Sequence, residues 1–182
     1  MALLYLFGLM MVLATFAAVA SIVRWTLQTG TPPMPSSSKA RRAMMFAAAT
    51  VPDAPLIELG SGCGTFAVRA ARAFPNRQVI GYELSWLPWL ISRALRKVLG
   101  LRNLVLLRED FLQAELPEGA VLLCYLSCGG MLRLAARLDA PGPLPAMLVS
   151  NTFRLPGRHA NQEIRLDDLY RTRVYVYRFQ HV

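Results

Sequence analysis

A glycine-rich turn preceded by an acidic residue is the segment of this chain whose residue types best suit chemistry. Leu56 to Leu59 is a short apolar stretch typical of a strand, and it leads into Gly60-Ser61-Gly62-Cys63-Gly64 and an Ala-rich helix beginning near Thr65. Glycines allow a sharp turn and let a ligand approach the backbone without a Cβ in the way. The start of the helix offers free N–H groups and a positive dipole end. The segment therefore predicts a loop that binds a carboxylate or a phosphate.

A second carboxylate follows at the spacing expected of a nucleotide site. Glu83 ends the next strand-like segment, Gln78 to Leu84, about 20 residues after the glycines. An acidic side chain at that place can accept hydrogen bonds from both ribose hydroxyls. The alternative is a surface carboxylate at a strand end. With the glycine turn upstream, we interpret Glu83 as the ribose ligand.

The pattern differs from the dinucleotide fingerprint G-x-G-x-x-G, because Thr65 stands where that motif requires its third glycine. Acidic-x-G-x-G-x-G resembles instead the first motif of the class I, seven-strand S-adenosylmethionine-dependent methyltransferases. The resemblance implies that Asp110, after the third strand, contacts the adenine amino group, with Phe111 beside the ring; a helix cap is the alternative for Asp110. The expected cofactor, S-adenosyl-L-methionine, would be held by Glu58, Gly60, Ser61, Gly62, Gly64, Glu83, Asp110 and Phe111.

A narrower resemblance follows the second strand. The stretch Gly-Tyr-Glu-Leu-x-Trp-Leu-x-Trp over residues 81–89 is similar to the membrane-associated lysine methyltransferases that modify the ATP synthase c subunit and the adenine nucleotide translocase. Residues 35–39, Pro-Ser-Ser-Ser-Lys, resemble a segment that this family has before its first motif. Cys63 departs from the family, which has an acidic residue there, and residues 125–130 match poorly.

The substrate side of the predicted site is less defined by the sequence. Tyr125 and Ser127, after the fourth strand, and Asn151, near the end of the fifth, would face the methyl end of the cofactor in this fold. Each is equally explained as an ordinary polar residue at a strand end. The pattern gives no distinct catalytic base, so these three are the catalytic candidates.

The elements that position these residues alternate between strand-like and helix-like segments. Strands are predicted at residues 56–59, 78–84, 103–107, 120–126 and 146–152, and helices at 39–49, 65–74, 87–99 and 131–138. The alternation predicts an α/β, Rossmann-like, mainly parallel sheet with helices on both faces. Residues 162–166 and 172–179 predict a C-terminal antiparallel hairpin. The apolar positions Leu87, Leu90, Ile91, Leu95 and Val98 predict the buried face of their helix.

The N-terminus has the composition of a membrane segment. No charge precedes Arg24, and residues 1–23 as one helix would span about 34 Å, enough for a ~30 Å hydrocarbon core. A cleaved signal peptide is the alternative, but no basic residue precedes the apolar run and the positive charges follow it. We therefore expect a transmembrane anchor at 1–24, a linker at 25–38 and a methyltransferase domain at 39–182, with the single-pass protein in a membrane and its catalytic domain in the cytoplasm.

The charge and the cysteine spacing of the chain limit the classes of partner and cofactor that are expected. The net charge of +9 is explained equally by nucleic acid or by an anionic lipid surface, but the basic residues form no aromatic-interleaved patch, so we expect no nucleic acid. The three cysteines lack metal-ligand spacing, so no metal is expected. The expected partners are the lipid bilayer and a protein substrate at the membrane. The leading hypothesis is protein-lysine N-methylation; the alternatives are methylation of a lipid or hydrophobic small molecule, and a non-catalytic membrane-anchored scaffold.

Overall fold

The computed structural model describes residues 1, 4–12, 15, 16 and 36–179. The chain divides into two compact units, Met1–Met34 and Pro35–Val182. In the first unit, residues 4–12 are helical and exposed. The second unit contains the helices and strands named below.

The predicted membrane-spanning helix is corrected by the structure. Within the described residues, no helix combines the length and apolarity needed to cross a bilayer. The transmembrane part of the predicted fold and the single-pass membrane localisation are therefore wrong on this finding. The remainder of the expected span and most of the expected linker, residues 17–35, lie outside the described residues.

In the second unit, helices and strands alternate as far as the third strand; the fourth strand follows it without a helix, and a further helix and three strands complete the order. The elements are α1 (Ser38–Ala48), β1 (Leu56–Leu59), α2 (Thr65–Ala73), β2 (Val79–Tyr82), α3 (Trp86–Val98), β3 (Leu104–Leu107), β4 (Val121–Cys124), α4 (Cys128–Asp139), β5 (Met147–Asn151), β6 (Gln162–Arg165) and β7 (Arg173–Arg178).

The strands of the second unit form a seven-stranded sheet in the order β3-β2-β1-β4-β5-β7-β6. The first five strands are parallel, with Leu56 of β1 opposite Val79 on one side and Val121 on the other. β7 runs antiparallel between β5 and β6. The predicted α/β, mainly parallel sheet with a C-terminal antiparallel hairpin is confirmed. The strand order reverses direction between β1 and β4, the place where open α/β sheets bind ligands.

The core has one layer on each face of the sheet. Because side chains alternate along a strand, Leu56 joins the layer that contains α1 and α2, whereas Ile57 and Leu59 join the layer that contains α4. Glu58 shares the alternation of Leu56 and so lies on the side of α1 and α2. The alternation of side chains along β1 therefore places the Glu58 carboxylate on the same face of the sheet as Leu56.

Helix α3 packs differently from the prediction. Within α3, whose residues are all described, Ser92 is the buried residue. Leu87, Leu90, Ile91 and Val98 are exposed, so the predicted buried face is wrong, although Leu95 packs partly against the core. The inward face is formed instead by Ser92 and by Trp89, whose Nε1–H donates to the Leu106 carbonyl at 3.1 Å.

Candidate active site

The loop between β1 and α2 is held in a conformation that requires glycine. Gly60, Gly62 and Gly64 have φ of +76°, +54° and +74°, in the left-handed region. The backbone N–H groups of Gly60 and Ser61 both donate to the Tyr82 carbonyl, at 3.0 and 2.8 Å. These two bonds fasten the loop to the end of β2, so the predicted binding loop meets the neighbouring strand.

Close contact between helices also requires glycine at position 64. A Cβ on Gly64 would lie 2.6 Å from the Cβ of Ser92, inside van der Waals contact. The small Ser92 is therefore buried because α3 approaches the start of α2 at this point. The loop conformation and the helix packing depend on the same glycine.

Glu83 lies directly against the glycine loop. Its Oε2 accepts a hydrogen bond from the Gly62 N–H at 2.7 Å, and its Oε1 accepts one from the Ser85 N–H at 2.7 Å. The side chain is only 4% exposed. Each carboxylate oxygen can accept a second hydrogen bond, so the group can still receive ribose hydroxyls. The structure thus brings together the two elements on which the predicted cofactor site depends.

Glu58 occupies a low-dielectric position beside that loop. Its Oε2 is buried and has no hydrogen-bond partner among the described residues. Burial raises the pKa of Glu58 to about 8; the Glu83 carboxylate raises the pKa further, while the Ala67 backbone N–H and the Arg41 guanidinium oppose the rise. A ligand cation would provide the missing partner. The α-ammonium group of an amino acid has that charge and can donate hydrogen bonds.

Two serine hydroxyls near the loop also lack partners among the described residues. Ser61 Oγ and Ser85 Oγ are buried and unpaired. Ser61 follows the first glycine, and Ser85 lies beside Glu83, to whose carboxylate its backbone N–H donates. Unpaired buried polar atoms are uncommon in native proteins and indicate an additional partner. Together with Glu58 and Glu83, they fit a ligand that carries both hydroxyl and charged amino-acid groups, as S-adenosylmethionine does.

Asp110 has a structural role in addition to the predicted one. It follows β3, and its Oδ1 accepts from the Leu112 N–H at 2.9 Å, so it caps the turn that follows. Phe111 is half-buried against the core layer that contains α4. Because β3 is parallel to the neighbouring β2, Asp110 and Glu83 both follow the carboxyl ends of their strands and lie on the same side of the sheet. Its placement is compatible with the adenine contact, which stays a prediction.

The substrate-side candidates lie at the ends of β4 and β5. Tyr125 follows β4, and its ring stacks on Phe153 with centroids 6.2 Å apart. Ser127 accepts from the Gly130 N–H at 3.2 Å and caps α4. Asn151 is 2% exposed at the end of β5. β4 and β5 are parallel to β1, so the carboxyl ends of all three strands lie on the same side of the sheet. The three candidates therefore lie on the side where the glycine loop follows β1; their catalytic roles stay predictions.

The segment before α1 contacts the substrate side of the candidate site, a contact that the sequence did not predict. Ser36 precedes α1, and its Oγ accepts from the Asn151 Nδ2 at 3.1 Å. Arg41 of α1 donates to the Ser36 carbonyl and, at 3.2 Å, to Ser38 Oγ. The segment before α1 therefore reaches the end of β5, and its arginine acts electrostatically on Glu58. The Ser-Ser-Ser-Lys pattern pointed to this segment, but no local signal indicated its contact.

Comparison with known proteins identifies the fold and the family. Residues 58–162, more than half of the 182-residue chain, match the family model of the ANTKMT methyltransferase domain. No curated protein gave a significant sequence match.

Solved structures share the same architecture. An RNA methyltransferase from Salinibacter ruber in complex with S-adenosyl-L-homocysteine aligns with a TM-score of 0.68 and 23% identity, covering 80% of this chain and 93% of that one. A precorrin-6y C5,15-methyltransferase from Geobacter metallireducens aligns with a TM-score of 0.57 and 17% identity, covering 69% of this chain and 68% of that one. At these identities the likeness concerns the fold. With the family match, it confirms that the chain belongs to the ANTKMT methyltransferase family and is an S-adenosylmethionine-dependent methyltransferase of class I.

Proposed function

We propose that this chain transfers the methyl group of S-adenosylmethionine to the ε-amino group of a lysine in a protein. The observation that carries the proposal is the junction of the glycine loop with Glu83, joined by the 2.7 Å hydrogen bond from the Gly62 N–H. The family match supplies the substrate class, because the family modifies protein lysines. The bound cofactor supplies an electrophilic methyl group on a sulfonium.

The residues of the chain have defined tasks in this proposal. Glu83 binds the ribose, and the Glu58 carboxylate pairs with the α-ammonium group of the cofactor. Alignment of the two reactants can supply ~7–11 kcal/mol of the barrier reduction, so orientation is the main requirement of an in-line displacement. Precise support of the loop by Tyr82 and Glu83 therefore matters more than a strong base.

The Tyr125–Phe153 pair supports an amine substrate. Both rings are half-buried, and they stack at the substrate-side ends of β4 and β5. Aromatic faces attract an ammonium group, and the apolar surroundings lower the pKa of an amine by desolvation. The two rings stack on each other, so a lysine side chain would lie against the pair; desolvation there would favour loss of its proton, while the attraction of the rings for the ammonium would oppose it.

The cofactor half of the proposal is tested by calorimetry on the full chain with S-adenosylhomocysteine. We expect Glu83→Gln to weaken binding at least tenfold, because the amide is neutral and one of its two groups donates rather than accepts. Glu115→Gln, at an exposed carboxylate, is the matched control and should bind like the unchanged chain. Circular dichroism verifies that both variants are folded. If the two variants had equal affinity for S-adenosylhomocysteine, Glu83 would not be a cofactor ligand.

The substrate half is tested with radiolabelled S-adenosylmethionine and a whole-cell extract. We expect label in protein and, by mass spectrometry, methyl groups on lysine side chains, with both signals lost in Glu83→Gln. Label that extracts with organic solvent into the lipid fraction would instead support the alternative of a lipid or hydrophobic small-molecule substrate. Label in neither protein nor lipid would contradict the proposed lysine substrate.

A further inference from the structure

The outward face of α3 is apolar and exposed. At 100° per residue, Trp86, Leu87, Leu90, Ile91 and Val98 lie within an arc of about 140°. Their exposed fractions are 53%, 38%, 45%, 45% and 82%. Leu84, immediately before the helix, is 47% exposed. Contiguous apolar surface of this kind usually marks an interaction site, whereas single exposed apolar residues do not.

Cationic side chains adjoin this apolar face: at 100° per residue, Arg93 and Arg96 lie outside the arc on the side of Trp86, and Lys97 lies within it. Arg93, Arg96, Lys97 and Arg102 line a shallow cavity of about 480 Å³, and Leu90 belongs to both the cavity and the apolar face. From residue 84 to residue 103 the sequence contains these four cations and no acidic residue. We call the apolar face and this cavity together the α3 surface. It has the composition of an amphipathic helix that binds an interface: an apolar stripe with a tryptophan, bordered by basic residues.

The α3 surface begins beside the cofactor site. Glu83 directly follows β2, and Ser85, which donates its N–H to that carboxylate, directly precedes α3. The first turn of α3 therefore lies at the edge of the sheet where the glycine loop is found. A partner bound to α3 would be held next to the cleft.

We propose that the α3 surface docks onto an anionic lipid bilayer, with the apolar face inserted at the level of the headgroups and the basic residues in contact with lipid phosphates. This contact is peripheral, involves no membrane-spanning helix and does not depend on the proposed substrate. The charge is complementary to anionic lipid, for which each nearby basic residue adds affinity. A nucleic acid would leave Leu87, Leu90 and Ile91 without apolar partners, whereas the acyl region of a bilayer accepts them.

Vesicle binding of the full chain tests the proposal. The vesicles are phosphatidylcholine alone or phosphatidylcholine with 30% phosphatidylserine, and binding is measured by co-sedimentation. We expect at least tenfold weaker binding to the anionic vesicles for the double variant Leu87→Ser/Ile91→Ser, and a similar loss for Lys97→Glu/Arg102→Glu. The charge-reversed variant should also lose the preference for anionic over neutral vesicles.

Matched changes on α4 control for hydrophobicity and charge. Leu132 and Arg133 are exposed on α4, so Leu132→Ser and Arg133→Glu remove the same kinds of group elsewhere. Neither should alter vesicle binding by more than about twofold. Bromine-labelled lipid should quench the fluorescence of the unchanged chain more than that of Trp86→Phe.

Three outcomes would overturn the proposal. The first is vesicle binding that is equal in the α3 variants and the α4 controls. The second is quenching that is the same with and without Trp86. The third is a self-association in analytical ultracentrifugation that Leu87→Ser/Ile91→Ser abolishes while vesicle binding is unchanged, because the α3 surface would then be an interface between copies of the chain.

Discussion

At the scale of single residues, the carboxyl group of Glu58 has a charge that the free protein stabilises poorly. Its pKa of about 8 lies far above the usual value of 4.5, chiefly because of burial. The folded state therefore binds a proton that the unfolded state releases between these two pH values. The stabilising contribution is fully present below the unfolded pKa and is lost as the pH rises through the folded pKa.

We expect Glu58→Gln to separate stability from binding. The free energy of unfolding of the unchanged chain should fall between pH 5 and pH 8, by at most ~1.4 kcal/mol per pH unit, and the variant should show a shallower slope. In contrast, its affinity for S-adenosylhomocysteine should fall about tenfold or more, because the ammonium group loses its charged partner. Urea unfolding and calorimetry measure the two quantities. If the free energy of unfolding has the same slope against pH in the variant and in the unchanged chain, Glu58 is not protonated in the folded free chain.

Two loop glycines should respond differently to alanine. At Gly64 an added Cβ would clash with Ser92 at 2.6 Å, and φ is +74°; at Gly62 φ is +54° with no atom within 4 Å of the new Cβ. Gly62→Ala should cost about 1 kcal/mol, from the left-handed backbone alone. Gly64→Ala should cost about 3 kcal/mol or more, because overpacking adds to that strain. Thermal or urea unfolding gives both values; equal losses would mean that α2 and α3 are not in close contact.

At the scale of elements, Arg77 connects α1 to the strand that carries the site. It is 8% exposed and donates to the carbonyls of Ala48, at the end of α1, and Ala54, just before β1. The stacking of its guanidinium on Phe74 adds a further contact. Arg77 is thus the donor to the Ala54 carbonyl and a second donor to the Ala48 carbonyl, which also accepts from the Val51 N–H at 3.4 Å.

Replacing Arg77 by alanine should destabilise the chain by about 1–3 kcal/mol, because the Ala54 carbonyl loses its donor and the Ala48 carbonyl keeps only the longer bond from the Val51 N–H. Arg72→Ala is the control: Arg72 is exposed in the last turn of α2, and its loss should cost less than ~0.5 kcal/mol. Urea unfolding followed by circular dichroism measures both. A cost for Arg77→Ala within that of the control would mean that water satisfies these carbonyls.

Helix α3 illustrates why periodicity predicts an apolar face but not its partner. The spacing of Leu87, Leu90 and Ile91 indicates an amphipathic helix, and the helix forms where it was expected. The face that turns inward was decided by Trp89 and by the small Ser92 opposite Gly64. Since that choice depends on Trp89 meeting Leu106, 17 positions away, and on Ser92 meeting Gly64, 28 positions away, no local pattern could provide it.

At the scale of the whole molecule, the last strand is an interior part of the sheet. β7 lies between β5 and β6, and Val174, Tyr175, Val176 and Tyr177 are all buried. The Tyr177 hydroxyl also accepts from the Leu155 N–H at 2.8 Å. The match to the family model ends at residue 162, yet the fold needs the strand that follows.

A chain truncated after residue 162 should therefore fail to fold cooperatively. Removal of β7 exposes one edge of β5 and the apolar side chains on both faces of the sheet. We expect loss of a sigmoidal urea transition and of S-adenosylhomocysteine binding, whereas removal of residues 180–182 should leave both intact. A truncated chain that still bound the ligand would show that β1 to β5 suffice.

The sequence alone determined the features that depend on neighbouring residues. These are the strand–glycine–helix loop, the acidic residue after the second strand, the alternation that makes the sheet mainly parallel, and the C-terminal hairpin, because turn chemistry and side-chain periodicity act over a few residues. The tertiary structure decided the insertion of β7 beside β5, the contact of Ser36 with Asn151, the environment of Glu58 and the exposed face of α3. It also corrected the expected membrane-spanning helix, which composition had favoured. Each of these depends on which distant surfaces meet, and burial and charge are fixed only when they do.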